Sequence, residues 1–161
     1  MEALATPRPA RRVKIRAYRP DDFDRLYEID HAAFVEDYVF SAEELREYIE
    51  ANWCHTLVAE EAGEIVGFVI GGLEETGNGA GHIVTLDVVP GRQRGGIGRL
   101  LMAAIEDWLW DEEAKAVLLE TVADESGARG FYEKIGYELV ERLPTYYENG
   151  NDAYRMVKWA D

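Results

Sequence analysis

The chain has 161 residues and a formal net charge of −15, with 47% hydrophobic and 30% charged residues, which suits a globular protein with a sizeable core. The acidic charge disfavours binding to a nucleic-acid backbone, and the longest apolar stretches fall far short of the ~20 residues that span a bilayer. A single cysteine, Cys54, and the lack of clustered Cys and His residues indicate a reducing, cytoplasmic setting without a structural metal.

Residues 1–12 contain two prolines and three arginines, and no apolar segment of the kind found in secretory signals follows them. We expect these residues to form a flexible tail and residues 13–161 to form a single domain. Much of the basic charge lies near the start of the chain, so the remainder is strongly acidic. An acidic body favours cationic substrates, and solubility explains it equally well.

The order of apolar, turn and capping residues predicts alternating strands and helices. Ser41 and Glu44 have the spacing of a capping box, the glycines at 77–81 indicate a loop, and Pro90 ends an apolar strand. In chain order we predict a strand over 13–18, helices over 20–34 and 42–51, strands over 56–60, 65–73 and 82–89, a helix over 98–112, a strand over 116–122, a helix over 126–135, and strands over 137–143 and 152–159. This alternation is typical of a mixed α/β sheet with helices on both faces.

Residues 88–99 join a buried strand to an amphipathic helix and are rich in glycine and arginine. Glycines let the backbone approach a phosphate, and the N–H groups and dipole of a first helical turn attract an anion. Arg92, Arg94 and Arg99 form a basic cluster in an otherwise acidic body. The segment lacks the Gly-Lys-Ser/Thr of a Walker loop, and Leu101 replaces the last glycine of a dinucleotide fingerprint, so neither nucleotide motif fits.

The hexapeptide from Gln93 to Gly98, Gln-x-x-Gly-x-Gly, lies between that strand and that helix. In this position it resembles the loop with which GNAT acetyltransferases hold the pyrophosphate of coenzyme A. A second segment, from Ala128 to Tyr137, resembles the family's Ala-x-x-x-Tyr-x-x-x-Gly-Phe/Tyr motif beside the thiol end of the cofactor. The resemblance extends over residues 13–159 and implies a GNAT-type α/β (α+β) fold, a mixed and mainly antiparallel sheet of about seven strands flanked by about four helices.

Within the family, the chain is most similar to the enzymes that acetylate protein N-terminal amines, including the ribosomal-protein alanine acetyltransferases. The similarity lies in residues 36–38, 81–86 and 146–154. The resemblance implies an N-acetyltransferase that uses acetyl-CoA as co-substrate and no metal. The residues that it implies for binding acetyl-CoA are Leu86, Asp87, Val88, Gln93, Arg94, Gly95, Gly96, Ile97, Gly98, Arg99 and Tyr132. Glu125 departs from the family, which often has Asn there to contact the pantetheine arm.

Acetyl transfer to an amine requires a group that removes the amine proton. Glu120 is the first candidate, because an apolar strand would raise its pKa and the resemblance implies a catalytic glutamate at this position. His82, whose imidazole ordinarily titrates near neutrality, and Glu36, in the loop expected to border the substrate groove, are the other candidates. Each also has a structural explanation: a hydrogen-bonded strand carboxylate, a histidine at a strand start, and a solvated loop carboxylate.

Tyr132 is the candidate general acid, since its phenol can protonate the departing thiolate if the site narrows the gap between their pKa values. Its alternative role is packing against Phe131 and Tyr137 in the core. The resemblance also implies that a β-bulge near Val88 frees a backbone N–H for the oxyanion.

Tyr38, Tyr146 and Tyr147 are expected to line a groove for the first residues of a peptide, since tyrosines offer apolar faces and hydroxyls together. Ordinary loop packing is their alternative role. The favoured acceptor is a protein N-terminus; a small amine such as a polyamine or aminoglycoside, and non-catalytic binding of acetyl-CoA, are the alternatives. We expect no nucleic-acid or membrane partner, and the sequence leaves a homodimer open.

Overall fold

The computed structural model describes residues 12–34, 38–74, 78–93, 95–124 and 127–161. Within these residues the chain forms seven strands and four α-helices, as the sequence predicts. They are β1 (Val13–Ala17), α1 (Phe23–Ala33), α2 (Ala42–Glu50), β2 (Cys54–Glu61), β3 (Glu64–Leu73), β4 (Ala80–Val88), α3 (Ile97–Asp111), β5 (Ala116–Val122), α4 (Ala128–Lys134), β6 (Glu138–Leu143) and β7 (Ala153–Trp159). A short 3-10 helix, Pro20–Asp22, leads into α1.

All seven strands belong to one sheet, in the order β1-β2-β3-β4-β5-β7-β6. The pairs on either side of β4 and β5 are antiparallel, and β4 and β5 themselves are parallel. This parallel pairing is short, because it joins residues 80–82 only to residues 116–118. In the described part of the chain the two strands are unpaired beyond that point, so the middle of the sheet opens there.

Successive residues of β2 and β3 bury their side chains on opposite faces of the sheet. One face packs against α3, and its buried residues include Leu57, Val69, Leu101, Ile105 and Leu109. The other face packs against α1 and α2, and its buried residues include Leu26, Ile29, Leu45, Val58 and Phe68. Both strands are therefore apolar along most of their length, as central strands covered on two sides require. The prediction of helices on both faces is confirmed.

The helix signals in the sequence act as predicted. The Ser41 hydroxyl accepts the Glu44 N–H at 3.1 Å, and the Glu44 carboxylate accepts the Ser41 N–H at 3.1 Å, so the capping box begins α2. In α3, the residues spaced three and four apart face the sheet and are buried, among them Leu101 and Ile105. No helix in the described ranges has the length and apolar composition needed to cross a bilayer.

One boundary difference concerns the glycines at 77–81, which predict a loop. Ala80 and Gly81 instead begin β4, because both pair with β5. A Cβ on Gly81 would lie 2.9 Å from a methyl carbon of Leu109, so this glycine lets α3 approach the sheet rather than forming a turn. Residue 77 lies outside the described residues.

We predict that Ile105→Ala lowers the free energy of unfolding by about 2–5 kcal/mol, because this fully buried side chain would leave a cavity between α3 and the sheet. The matched control is Leu100→Ala on the same helix, where the side chain is 45% exposed and little packing is lost. Urea unfolding of the two variants measures the difference. Equal losses of stability would contradict the assigned face of α3.

Candidate functional site

The loop between β4 and α3 ends in a backbone cradle suited to an anion. Gly96 caps α3 with a φ of +87°, a conformation that favours glycine, and no side chain caps this helix. The Leu100 N–H donates to the Gly96 carbonyl at 3.0 Å and so begins the helical hydrogen bonds. The N–H groups of Ile97, Gly98 and Arg99 precede it and point out of the helix end, where the helix dipole adds positive potential.

Two side chains near the cradle, those of Arg92 and Gln93, form hydrogen bonds with other groups of the protein. Arg92 forms an ion pair with both carboxylate oxygens of Glu61, at the end of β2. Gln93 donates its side-chain amide to the Val88 carbonyl at 3.2 Å. The predicted basic cluster therefore needs correction, because the charge of Arg92 is neutralised by Glu61. This pair instead ties the loop to the β2–β3 turn.

Small residues keep the cradle open and close to α4. A Cβ on Gly96 would meet no atom within 4 Å, so open space lies beside the helix end. A Cβ on Gly95 would lie 3.3 Å from the Arg92 carbonyl oxygen, and one on Gly98 would lie 3.2 Å from the Phe131 ring of α4. Glycines at these three positions let the loop fold tightly and the two helices approach each other. The space and the outward N–H groups fit a phosphate group.

β4 presents backbone donors to the opening beside β5. The Val89 N–H donates to the Val66 carbonyl of β3 at 2.9 Å. Because successive N–H groups of a strand point to opposite sides, those of Leu86 and Val88 point away from β3. β5 no longer pairs with β4 at this level, so both groups face the opening.

The expected bulge lies elsewhere in β4. The register against β3 shifts between Ile70 and Gly71, which leaves Val84 as the extra residue. Val88 pairs regularly with Gly67, so no bulge frees its N–H. The Val88 N–H is turned toward the opening because β5 diverges, and not because β4 bulges.

Tyr132 of α4 lies among other aromatic rings. Its ring centroid is 5.1 Å from that of Phe131 and 5.9 Å from that of Tyr137, both in edge-to-face contact. Burial, together with the nearby Asp87 and Tyr147, raises the pKa of Tyr132 well above its ordinary value. The phenol therefore stays protonated through the neutral range, but the structure does not bring its pKa toward that of a thiol as a general acid would prefer.

Glu120 of β5 and His82 of β4 meet where the pairing of these two strands ends, since His82 is paired with Leu118. His82 Nε2 lies 2.7 Å from Glu120 Oε1, and His82 Nδ1 lies 3.1 Å from Glu74 Oε1. Arg155 of β7, directly opposite Glu120 in the sheet, donates from Nε to Glu120 Oε2 at 3.2 Å. Its Nη1 also donates to Glu141 at 3.4 Å. The four partners form a connected network of alternating charge around Glu120.

This network holds Glu120 ionised. Burial alone would raise the pKa of Glu120, but the hydrogen bonds and positive charges of His82 and Arg155 outweigh burial and lower it. Burial would also lower the pKa of His82, and the carboxylates of Glu120 and Glu74 outweigh it and raise that pKa. The expectation that the apolar strand raises the pKa of Glu120 is wrong, because neighbouring strands bring two cations to the carboxylate.

The three tyrosines predicted for the substrate lie together beside Glu120. The rings of Tyr38 and Tyr147 are in edge-to-face contact with centroids 4.9 Å apart, and those of Tyr147 and Tyr146 with centroids 5.0 Å apart. The Tyr146 hydroxyl donates to Glu120 Oε1 at 3.5 Å. An aromatic wall therefore connects the segment between α1 and α2 to the carboxylate.

Two asparagines fix Tyr38 to the loop between β6 and β7. The Tyr38 hydroxyl accepts the side-chain amide of Asn149 at 2.9 Å and also that of Asn151. The Asn151 N–H in turn donates to the Asn149 side chain at 3.0 Å. Both asparagines lie in the segment 146–154 that resembles the family, and no sequence pattern assigns either of them a role.

Sequence reasoning missed Glu74 and Arg155, two charged groups bound to the His82–Glu120 pair. The signal that could have identified Arg155 is the pair of charged residues, Arg155 and Lys158, within the otherwise largely apolar strand β7. Of the residues with predicted or questioned roles, Glu36, Arg94 and Glu125 lie outside the described residues. Their assignments therefore stay predictions.

Comparison with known proteins gives the family and close structural counterparts. The model of the acetyltransferase (GNAT) family matches residues 23–137. An N-alpha-acetyltransferase of Sulfurisphaera tokodaii is 33% identical over 166 residues, which cover 96% of this chain and 97% of that protein. The ribosomal-protein-S18-alanine N-acetyltransferase of Escherichia coli superimposes with a TM-score of 0.81 at 21% identity, covering 92% of this chain and 94% of that one. Ard1 of Thermoplasma volcanium has a TM-score of 0.80 at 27% identity, covering 92% and 98%.

We predict that Glu120→Gln lowers the pKa of His82, because the amide removes the charge that stabilises the imidazolium. The control, Glu74→Gln, should lower it by less, since Glu74 contributes less than Glu120 to the raised pKa. NMR titration of the His82 ring in the wild-type chain and both variants measures these values. An unchanged pKa in Glu120→Gln would mean that the two side chains are not paired in solution.

Proposed function

The chain belongs to the GNAT acetyltransferase family, and we propose that it transfers the acetyl group of acetyl-CoA to the α-amine of a protein N-terminus. The observation that carries the proposal is the convergence of Glu120, His82 and an aromatic wall beside the opening between β4 and β5. Acetyl-CoA supplies the activated acetyl thioester. The residues of this chain would bind acetyl-CoA and the amine, orient them and transfer the protons.

The cradle at the start of α3 is proposed to hold the pyrophosphate of acetyl-CoA. Its outward N–H groups are those of Ile97, Gly98 and Arg99, and Gly95 and Gly96 leave room for the phosphates. The pantetheine arm would then run beside β4, where the N–H groups of Leu86 and Val88 can donate hydrogen bonds to its carbonyl oxygens. The Val88 N–H is also our candidate donor for the oxyanion.

Glu120 is the proposed proton acceptor for the amine. Both ring nitrogens of His82 face carboxylate oxygens, an arrangement that is satisfied when both nitrogens carry protons, so His82 has no free lone pair for the substrate. An ionised carboxylate accepts about four hydrogen bonds, so Glu120 keeps acceptor capacity beside its protein partners. His82 acts in this scheme as a cation that orients Glu120 and keeps it ionised.

A carboxylate base such as Glu120 deprotonates an α-amine more readily than an alkylamine, because the two amines differ in their own pKa values. A protein α-amine has an ordinary pKa of about 7.7–8.0, against about 10.4 for a lysine-like amine. A weak carboxylate base removes the proton from the first far more readily than from the second. A polyamine or an aminoglycoside would require either a stronger base or an alkaline medium. Glu74, Glu120 and Glu141 still attract the ammonium form during approach.

Tyr38, Tyr146 and Tyr147 are proposed to contact the first residues of the peptide. Their edge-to-face packing and the asparagine hydrogen bonds to Tyr38 hold the rings in place before a substrate arrives. A rigid aromatic wall reduces the entropy lost on binding. This arrangement supports an extended peptide better than a compact small molecule.

Tyr132 is the proposed donor to the departing sulfur. Burial raises the pKa of Tyr132. Burial in the same place also raises the pKa of a thiol. The difference between the two pKa values is therefore smaller than the difference between the buried tyrosine and an exposed thiol. The phenolic proton would pass to the thiolate as the carbon–sulfur bond breaks. After transfer, the proton taken by Glu120 leaves to solvent and Tyr132 regains a proton from solvent, so both residues return to their starting states.

Substrate panels distinguish the candidate functions. The wild-type chain is incubated with acetyl-CoA and, separately, with peptides of varied N-termini, with N-terminally blocked peptides that contain lysine, with polyamines and with aminoglycosides. Mass spectrometry should find acetylation of free N-termini and none of the blocked peptides. Acetylated polyamine or aminoglycoside without peptide product would overturn the proposed acceptor, and acetyl-CoA binding without any product would indicate a non-catalytic module.

We predict that Glu120→Gln lowers turnover by at least about tenfold at neutral pH and that this deficit shrinks as the pH rises, because more substrate amine is then already deprotonated. Glutamine preserves the shape and the contact with Arg155 but accepts no proton. Glu141→Gln, which touches the network only through Arg155, is the matched control and should retain most of the turnover. Superimposable pH–rate profiles for Glu120→Gln and the wild type would remove Glu120 as the base.

We predict that Tyr132→Phe lowers turnover by roughly 10- to 10⁴-fold with little change in acetyl-CoA affinity, because only the proton donor is lost. Tyr137→Phe is the control: it removes a neighbouring hydroxyl that donates to Glu106 at 2.7 Å, so it should reduce stability and leave turnover nearly intact. Steady-state kinetics and calorimetric binding provide both readouts. Wild-type turnover in Tyr132→Phe would make Tyr132 a packing residue.

We predict that acetyl-CoA raises the thermal unfolding temperature of the wild type and that Gly98→Leu abolishes this shift, because its side chain would extend into the space between the cradle and Phe131. Each protein is compared with its own ligand-free unfolding temperature, which separates lost binding from lost stability. A full shift in the variant would exclude the cradle as the phosphate site.

A further inference from the structure

Two buried carboxyl groups face each other between α1 and β4, on the side of the sheet opposite α3. Asp30 and Asp87 each have 0% of their surface exposed, and their side chains lie close enough to interact. Two ionised carboxylates offer only acceptors, so a hydrogen bond between them would need a proton on one of them. No sequence pattern assigns Asp30 a role, and Asp87 is named only among the residues that the family resemblance implies for acetyl-CoA.

The remaining contacts of the pair agree with one shared proton. Asp30 Oδ2 accepts the Phe40 N–H at 2.8 Å, and Asp87 Oδ1 accepts the Thr85 hydroxyl at 2.5 Å. The other oxygen of each group, Asp30 Oδ1 and Asp87 Oδ2, is buried and has no donor within the described residues. A proton held between the two carboxyl groups satisfies both of these oxygens.

The residues around Asp30 and Asp87 are mostly apolar and offer these carboxyl groups little electrostatic compensation. The neighbouring side chains of β3, including Phe68 and Ile70, are apolar. On α4, the titratable group that interacts electrostatically with Asp87 is Tyr132. Neither aspartate has a basic partner among the described residues. Burial, followed by the contact with Asp30, raises the pKa of Asp87 well above its ordinary value, and the Thr85 hydroxyl only partly offsets this.

The pair connects the two halves of the proposed site. Asp30 holds the Phe40 N–H and with it the segment that carries Tyr38, which the asparagines of the β6–β7 loop hold from the other side. Asp87 lies between Leu86 and Val88, the two β4 residues whose N–H groups face the opening. The contact thus runs from the aromatic wall to the strand along which acetyl-CoA is proposed to lie.

We propose that Asp30 and Asp87 share one proton and act as positioning residues. They fix the segment that carries Tyr38 against β4, so that the amine of the peptide is aligned with the thioester of acetyl-CoA. The positioning part of this proposal rests on the function proposed above. The shared proton does not, because it can be measured on the chain alone.

The shared proton is tested with Asp87→Asn, an isosteric amide that donates to Asp30 and accepts from Thr85 without titrating. Infrared difference spectra at neutral pH should contain a carboxylic acid band in the wild type that disappears in the variant. A carboxyl whose pKa is raised by folding contributes stability that is full at low pH and is lost as pH rises through its folded pKa. The unfolding temperature of the wild type should therefore fall relative to that of Asp87→Asn as the pH rises above the ordinary carboxyl pKa of about 3.9. Parallel curves together with no acid band would overturn the shared proton.

The positioning role is tested by comparing Asp87→Ala with Asp87→Asn. The alanine variant breaks the link, so its KM for peptide should rise by about tenfold, the effect of one misplaced hydrogen bond, while its KM for acetyl-CoA stays near the wild-type value. Asp87→Asn should restore the peptide KM, a rescue that general loss of packing does not produce. Wild-type peptide KM in a folded Asp87→Ala would overturn the role, and so would a raised peptide KM in Asp87→Asn if the alanine variant does not fold. If the wild type acetylates no peptide, the proposed function fails while the infrared and stability measurements still decide the shared proton.

Discussion

The short parallel pairing of β4 and β5 is the constraint on which the rest of the site depends. The two strands pair at residues 80–82 and 116–118 and then separate, so a sheet that is otherwise continuous opens at its centre. At the paired end, His82 and Glu120 come within 2.7 Å of each other. At the open end, β4 turns the Leu86 and Val88 N–H groups outward and leads into the α3 cradle. Phosphate binding, acetyl orientation and proton transfer can therefore share one opening.

Charge within that opening determines which amine suits it. Glu120 is surrounded by His82 and Arg155, so its pKa is lowered and it is a weak base. A weak base matches an α-amine, whose proton is held loosely at neutral pH, and it matches an alkylamine poorly. The same network explains why His82 is better viewed as a cationic partner than as a proton acceptor, since Glu74 occupies its second nitrogen. The proposed substrate class thus rests on the same contacts that lower the pKa of Glu120.

Features set by neighbouring residues could be predicted from the sequence, whereas features set by distant residues could not. The Ser41–Glu44 capping box depends on two residues three apart, and it forms as predicted. The pKa of Glu120 depends on Arg155, 35 positions away, and its predicted direction was wrong. Arg92 likewise looked available for phosphate until the fold paired it with Glu61, 31 positions earlier. The position of the bulge depends on register against β3, which no local pattern of β4 contains.

A crystal structure of the chain with a covalent coenzyme A–peptide conjugate tests the central claim most directly. The account predicts that the nitrogen joined to the acetyl group lies within about 2.6–3.2 Å of Glu120, or one water molecule from it. The sulfur should lie beside Tyr132, and the first peptide residues should contact Tyr38 and Tyr146. A conjugate whose nitrogen is remote from Glu120, or whose peptide leaves the opening away from the tyrosines, would contradict it.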